Sequence, residues 1–172
     1  MTVLKRGEKT ADELMTELES DPEWVARRDA REAEQRAKEE RSIAEQALLL
    51  ADLRKVGYRI RWIWYLVNSA ESYPEAIPVL INHLRRPYRD GIREGIARAL
   101  AVREARGLAG KAILETLREE GLGKQLRWAL ANSLTIVADR TNSNDIKAVL
   151  GAESDKDIVD RLNRALKTVA KP

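Results

Sequence analysis

The sequence predicts an all-α chain: a short α-solenoid of stacked helical hairpins behind a long, charged N-terminal helical arm. Three observations carry that expectation. Ile92-Arg93-x-x-Ile96-x-x-Ala99-Leu100 returns 34 positions later as Leu126-Arg127-x-x-Leu130-x-x-Ser133-Leu134, with a weaker copy at Ile158, Leu162, Ala165 and Leu166. Self-similarity of this length, with helical spacing inside it, marks helix pairs that bury their apolar faces on one another. Between Pro22 and Gly57 there is no proline or glycine, and the run is rich in helix formers. Apolar residues make up 44% of the chain, enough to bury a core. Two domains follow: residues 1–57 as the arm and residues 58–172 as the solenoid, with 59–68 as a linking helix.

The arm opens with Thr10-Ala-Asp-Glu13, a capping-box pattern, and Leu14, Met15 and Leu18 give the short helix behind it an apolar stripe. Asp21-Pro22 reads as a cap followed by a first-turn proline, which lacks the N–H that would be orphaned there. One helix of about 36 residues should then run to Gly57, about 54 Å long at 1.5 Å per residue. Arg28–Glu32, Glu32–Arg36, Glu34–Lys38 and Arg36–Glu40 stand at i,i+4 and support it. Ala26, Ala30, Ala33, Ala37, Ala44, Ala47 and Ala51 follow a 3-4 alternation broken at Glu40. That stripe is either a by-product of high helix propensity or a seam. As a seam it would pack on residues 11–19 or pair two copies of the chain, with Ala26, Ala30, Ala33 and Ala37 at its centre.

In the linking segment a helical reading puts Ile60, Ile63, Trp64 and Val67 on one face and Trp62 and Leu66 on the other, as in a sandwiched helix. Three hairpins should follow: 73–86 with 88–101, 105–119 with 124–138, and 144–150 with 155–169. Pro87 breaks the first, Gly121-Leu-Gly123 turns the second, and Ser154-Asp-Lys-Asp157 caps the last helix. Pro78 lies deeper than Pro74 and should cost its helix a hydrogen bond and a kink.

Composition excludes several chemistries. There is no cysteine, and His83 is the single histidine, so disulfides, thiol nucleophiles and ordinary zinc sites are not expected, and no cofactor is indicated. Met1–Gly7 lacks the apolar core of a signal peptide and no run approaches the ~18 residues of a membrane span, so a soluble, cytoplasmic protein is expected. Residues 1–46 carry 9 Lys/Arg against 13 Asp/Glu, and residues 47–172 carry 22 against 15. A mildly basic solenoid behind an acidic arm is compatible with a polyanion but does not require one.

Ala76-Ile-Pro-Val-Leu80 with Leu84, followed by Ile92-Arg93 with Ile96, Ala99 and Leu100, resembles the two helices of a HEAT repeat. The resemblance covers about residues 73–169. The chain is also similar to small bacterial HEAT-repeat proteins through Trp64-x-Leu-Val-Asn68, Tyr73-Pro-x-Ala-Ile-Pro78 and Arg93-Glu-Gly-Ile-Ala-Arg-Ala-Leu100. It implies a solenoid whose second helices line a concave surface, and a scaffold that binds other macromolecules. It also implies that Arg93 pairs with an aspartate near the hairpin turn, here Asp90.

Aligned on the repeat, Glu94, Trp128 and Asp160 form one row, and Arg98, Asn132 and Arg164 the next. These six residues are the candidate binding face. Trp128 stands about 160–200° from Leu126 and Leu130 at 100° per residue. It either packs internally, joins an oligomer contact, or meets a ligand, as a fixed tryptophan is a hot-spot type of residue. Arg54, Lys55, Arg59 and Arg61 cluster around Gly57, where a helix dipole favours cations. His83 flanks an apolar stripe and reads as a surface or satisfied polar residue. No nucleophile–base pair stands out. The expected role is a non-enzymatic adaptor that binds a protein partner, with a homodimer through the arm as a further expectation. The alternative is nucleic-acid binding on the concave face, as in HEAT-like DNA glycosylases, whose catalytic residues have no match here. A chromophore-lyase role ranks last, since only 5% of residues are aromatic.

Overall fold

The computed structural model describes residues 10–170. The Met1–Gly7 stretch on which the leader argument rests lies outside them. The chain divides into two compact units that meet in sequence between Ser42 and Ile43. Ten α-helices form among the described residues, with no strand. None is long and apolar enough to cross a membrane.

The first unit holds α1 (Ala11–Glu19) and most of α2 (Pro22–Glu45). The capping box forms as the sequence requires: the Glu13 N–H donates to the Thr10 hydroxyl, and the Thr10 N–H donates to the Glu13 carboxylate. Asp21 caps α2, accepting from the Glu23 N–H at 2.9 Å. Arg28–Glu32 and Glu34–Lys38 close as i,i+4 pairs. Ala26, Ala30 and Ala33 are exposed and Ala37 is half-buried.

The expected single helix to Gly57 is interrupted. One residue of tighter geometry at Gln46 separates α2 from α3 (Ala47–Lys55). The Gln46 side chain is buried there, its oxygen accepting from the Ile63 N–H at 2.8 Å. Leu49 and Leu53 of α3 are fully buried, so the compact second unit starts at Ile43, ahead of the Gly57 boundary expected from the sequence. Gly57 ends α3 at φ 100°, where a side chain would be strained. The Tyr58 N–H reaches the Leu53 carbonyl at 2.9 Å and the Gly57 N–H the Arg54 carbonyl at 3.1 Å, a Schellman closure.

The linking helix is also shorter than expected. Only Trp64–Val67 (α4) is helical, and residues 58–63 are irregular. Helical bookkeeping therefore fails for its faces: Ile63 and Leu66 are buried, whereas Trp62 and Tyr65 are exposed.

The remaining helices are α5 (Ala76–Leu84), α6 (Asp90–Ala99), α7 (Gly110–Leu117), α8 (Lys124–Val137), α9 (Ser143–Ala152) and α10 (Lys156–Val169). Sequential pairs α5–α6, α7–α8 and α9–α10 pack on each other. One row runs α3–α5–α7–α9 and a second α4–α6–α8–α10. The repeated positions supply the core: Ile92, Ile96, Ala99, Leu100, Leu126, Leu130, Ser133, Leu134, Ile158, Leu162 and Ala165 are buried. Pro78 breaks nothing. α5 begins at Ala76, so Pro78 sits in its first turn, and the Pro74 carbonyl it would have served already accepts from the Ile77 N–H at 3.1 Å. α10 is capped by Asp155 and not by Ser154: its side chain accepts from the Asp157 N–H at 2.9 Å.

Candidate functional site

Helices α4, α6, α8 and α10 each contribute one aromatic or guanidinium group to a continuous stack. The Arg98 guanidinium lies 5.7 Å from the Trp64 ring centroid and 5.4 Å from that of Trp128. Arg161 covers Trp128 from α10, at 5.0 Å. The order is thus Trp64, Arg98, Trp128, Arg161, alternating along the row. Each such contact contributes about 0.5–1 kcal/mol where water reaches it, and more where it does not.

The stack depends on a glycine. At Gly95 a Cβ would stand 2.7 Å from Ile63 Cγ2 and 3.2 Å from Trp64 Nε1, so α4 and α6 approach closely only because that position lacks a side chain. Arg98 lies one turn further along α6 and is held by Glu94, with Nε 2.9 Å from Oε1. On α10, Asp160 and Arg164 pair at 2.9 Å on the surface. Asn132 is half-buried on α8 between them in sequence order, and its side chain has no hydrogen-bond partner among the described residues.

All six residues expected on the candidate face are therefore on the second-helix row. They do not form one plane of free groups. Glu94–Arg98 and Asp160–Arg164 pair within their own helices, while Trp128 is shared by Arg98 and Arg161. Trp64 and Arg161 escape the sequence reading. Trp64 stands 34 positions before Arg98, the repeat length itself. Arg161 occupies the slot filled by Gly95 and Ala129 in the earlier copies.

The recurring pair Arg93 and Arg127 is structural. Arg93 is 5% exposed; its two terminal nitrogens each lie 2.7 Å from a Glu119 oxygen, and its Nε donates to the Leu84 carbonyl. Arg127 repeats this with Glu153 and the Leu117 carbonyl. The expected partner Asp90 is instead turned to the next hairpin, accepting from the Gly123 N–H at 2.6 Å. The ladder thus runs between hairpins, not within one.

A second polar cluster surrounds His83, which is buried. Its Nε2 lies 3.0 Å from Asp52 Oδ2 and its Nδ1 2.7 Å from the Tyr88 hydroxyl. Burial lowers its pKa below the ordinary value, the nearby Arg86 adds to this, and Asp52 opposes it. The neutral ring then donates from Nε2 to Asp52 and accepts from Tyr88. Asp52 is held low by Lys55 first and by His83 second. Beside it lies an open depression of about 230 Å³, and another of about 200 Å³ lies near Tyr73. Both are smaller than the roughly 300–1,000 Å³ of small-molecule sites. Among the described residues no group of three potential ligands converges on a metal position.

Comparison with protein-family models, with curated proteins and with solved structures yields no match for this chain.

Proposed function

We propose that the second unit is a short solenoid of HEAT-like hairpins and acts as a non-enzymatic adaptor, gripping a protein partner along α6, α8 and α10. The observation that carries this reading is the alternating stack of Trp64, Arg98, Trp128 and Arg161. Large side chains held in place before binding lose little entropy on association, and tryptophan and arginine dominate interface energetics. The half-buried Trp128 supplies apolar area without needing rearrangement. A polyanion is a poorer fit on this face, because Arg93, Arg98, Arg127 and Arg164 already hold carboxylates.

The test is affinity capture from nuclease-treated lysate with the wild-type chain and with Trp128→Ala, read by quantitative mass spectrometry. A stoichiometric protein retained by the wild type and lost from a folded Trp128→Ala variant is expected. Capture that is unchanged by the substitution refutes the proposed face, and unfolding of the variant assigns Trp128 to the core.

A further inference from the structure

The exposed side of residues 59–65 has a composition unlike the rest of the second unit. Burial alternates through the segment: Tyr58 and Ile60 are half-buried, Ile63 and Leu66 are buried, and Arg59, Arg61, Trp62 and Tyr65 face outward. Trp62 is 48% exposed and Tyr65 63%. The two belong to one turn, since the Tyr65 N–H donates to the Trp62 carbonyl at 3.1 Å.

The turn is anchored on both sides. The Schellman closure at Gly57 fixes its entry, the Tyr58 hydroxyl donates to Glu75 at 2.7 Å, and the Ile63 N–H is held by Gln46. Two large rings are therefore displayed on a rigid base.

Charge points the same way. No Asp or Glu lies between Asp52 and Glu71 in the sequence. Arg59 and Arg61 form no ion pair among the described residues, whereas Arg93, Arg98 and Arg127 each hold a carboxylate. Arg54 and Lys55 close α3, where its dipole accounts for them. Arg59 and Arg61 lie beyond the helix end, outside the reach of that explanation.

We propose that this face docks single-stranded nucleic acid, with the Trp62 and Tyr65 rings stacking on unpaired bases and Arg59 and Arg61 taking neighbouring phosphates. Flat rings beside guanidinium groups suit a strand that offers both π-faces and regularly spaced anions. In a duplex the base faces are already stacked on one another, so the rings would be unused. A bilayer surface fits less well, because an interfacial segment buries a broad aliphatic face, and here Ile60, Ile63, Leu66 and Val67 turn inward. The site uses the exposed side chains of the segment that also carries Trp64, and it does not depend on the adaptor reading.

The experiment is fluorescence anisotropy of labelled 20-nucleotide oligo(dT) and oligo(U) titrated with the full chain. Saturable binding is expected, weakening about sevenfold between roughly 50 and 200 mM salt for two phosphate contacts to a single strand. Trp62→Ala and Tyr65→Ala should each weaken it about fivefold or more. Arg59→Gln with Arg61→Gln should remove most of the salt dependence. Both rings are exposed, so unfolding midpoints of these variants should match the wild type. No anisotropy change at about 100 µM protein overturns the proposal, as does binding unaffected by the Trp62→Ala/Tyr65→Ala pair. Sedimentation with phosphatidylserine vesicles in the absence of oligonucleotide binding overturns it in favour of a membrane surface.

Discussion

Replacing Gly95 with alanine sets two effects of opposite sign against each other. In a helix interior alanine is favoured over glycine by about 1 kcal/mol, so the substitution would ordinarily stabilise α6. Here the added Cβ would lie 2.7 Å from Ile63 Cγ2 and 3.2 Å from Trp64 Nε1. Carbon pairs prefer roughly 3.5–4.0 Å, so a gap of about 1 Å must open. Ile63 is fully buried, and as a β-branched residue it is stiff at χ1. Relief therefore requires α4 to shift, not merely a rotamer change. Overpacking of this kind costs about 1–3 kcal/mol, which exceeds the helix gain and leaves a net loss of about 1 kcal/mol. Urea unfolding followed by circular dichroism should show a midpoint lower by about 0.3–1 M at unchanged slope. Tryptophan emission should change as well, since Trp64 moves relative to Arg98. Gly91→Ala is the matched control: it lies in the same helix, and a Cβ there meets nothing within 4 Å. If Gly95→Ala raises the midpoint as Gly91→Ala does, the close approach of α4 and α6 and the stack built on it are wrong.

Glu119→Ala strands the buried Arg93 guanidinium and should cost about 1.5–3 kcal/mol, more than the ~0–1 kcal/mol of a surface ion pair; a loss under about 0.5 kcal/mol in urea unfolding would discard the inter-hairpin ladder. His83 has its folded-state pKa depressed by burial, so the unfolded chain takes up that proton first. Stability should be level above about pH 6.5 and fall as the pH drops below it, with Asp52, also held low, adding a loss at more acid pH. His83→Gln should flatten the decline between about pH 6.5 and 5.5; an identical decline in both proteins would show that another group is responsible.

Local signals placed most of the helices. The 34-residue recurrence marks which side chains face inward because 3.6-residue periodicity is written along one segment at a time, and Ile92, Ile96, Leu126, Leu130, Ile158 and Leu162 are all buried. Thr10 and Asp21 cap as read, since a cap engages backbone only two or three residues away. The placement of the six candidate residues was legible to the same extent: equal positions in successive repeats fall on the same row of helices. What the sequence could not state is who meets whom across chain separations. The break at Gln46 exists because its side chain meets an N–H 17 residues on, which no local propensity encodes. Arg93 chooses Glu119 over the nearer Asp90 because tertiary packing, not sequence distance, sets its reach. Trp128 was recognisable as an outlier to its helix's inward face. That two guanidiniums from different helices cover it, and that a glycine two helices away makes room for the start of the stack, was decided by tertiary packing alone.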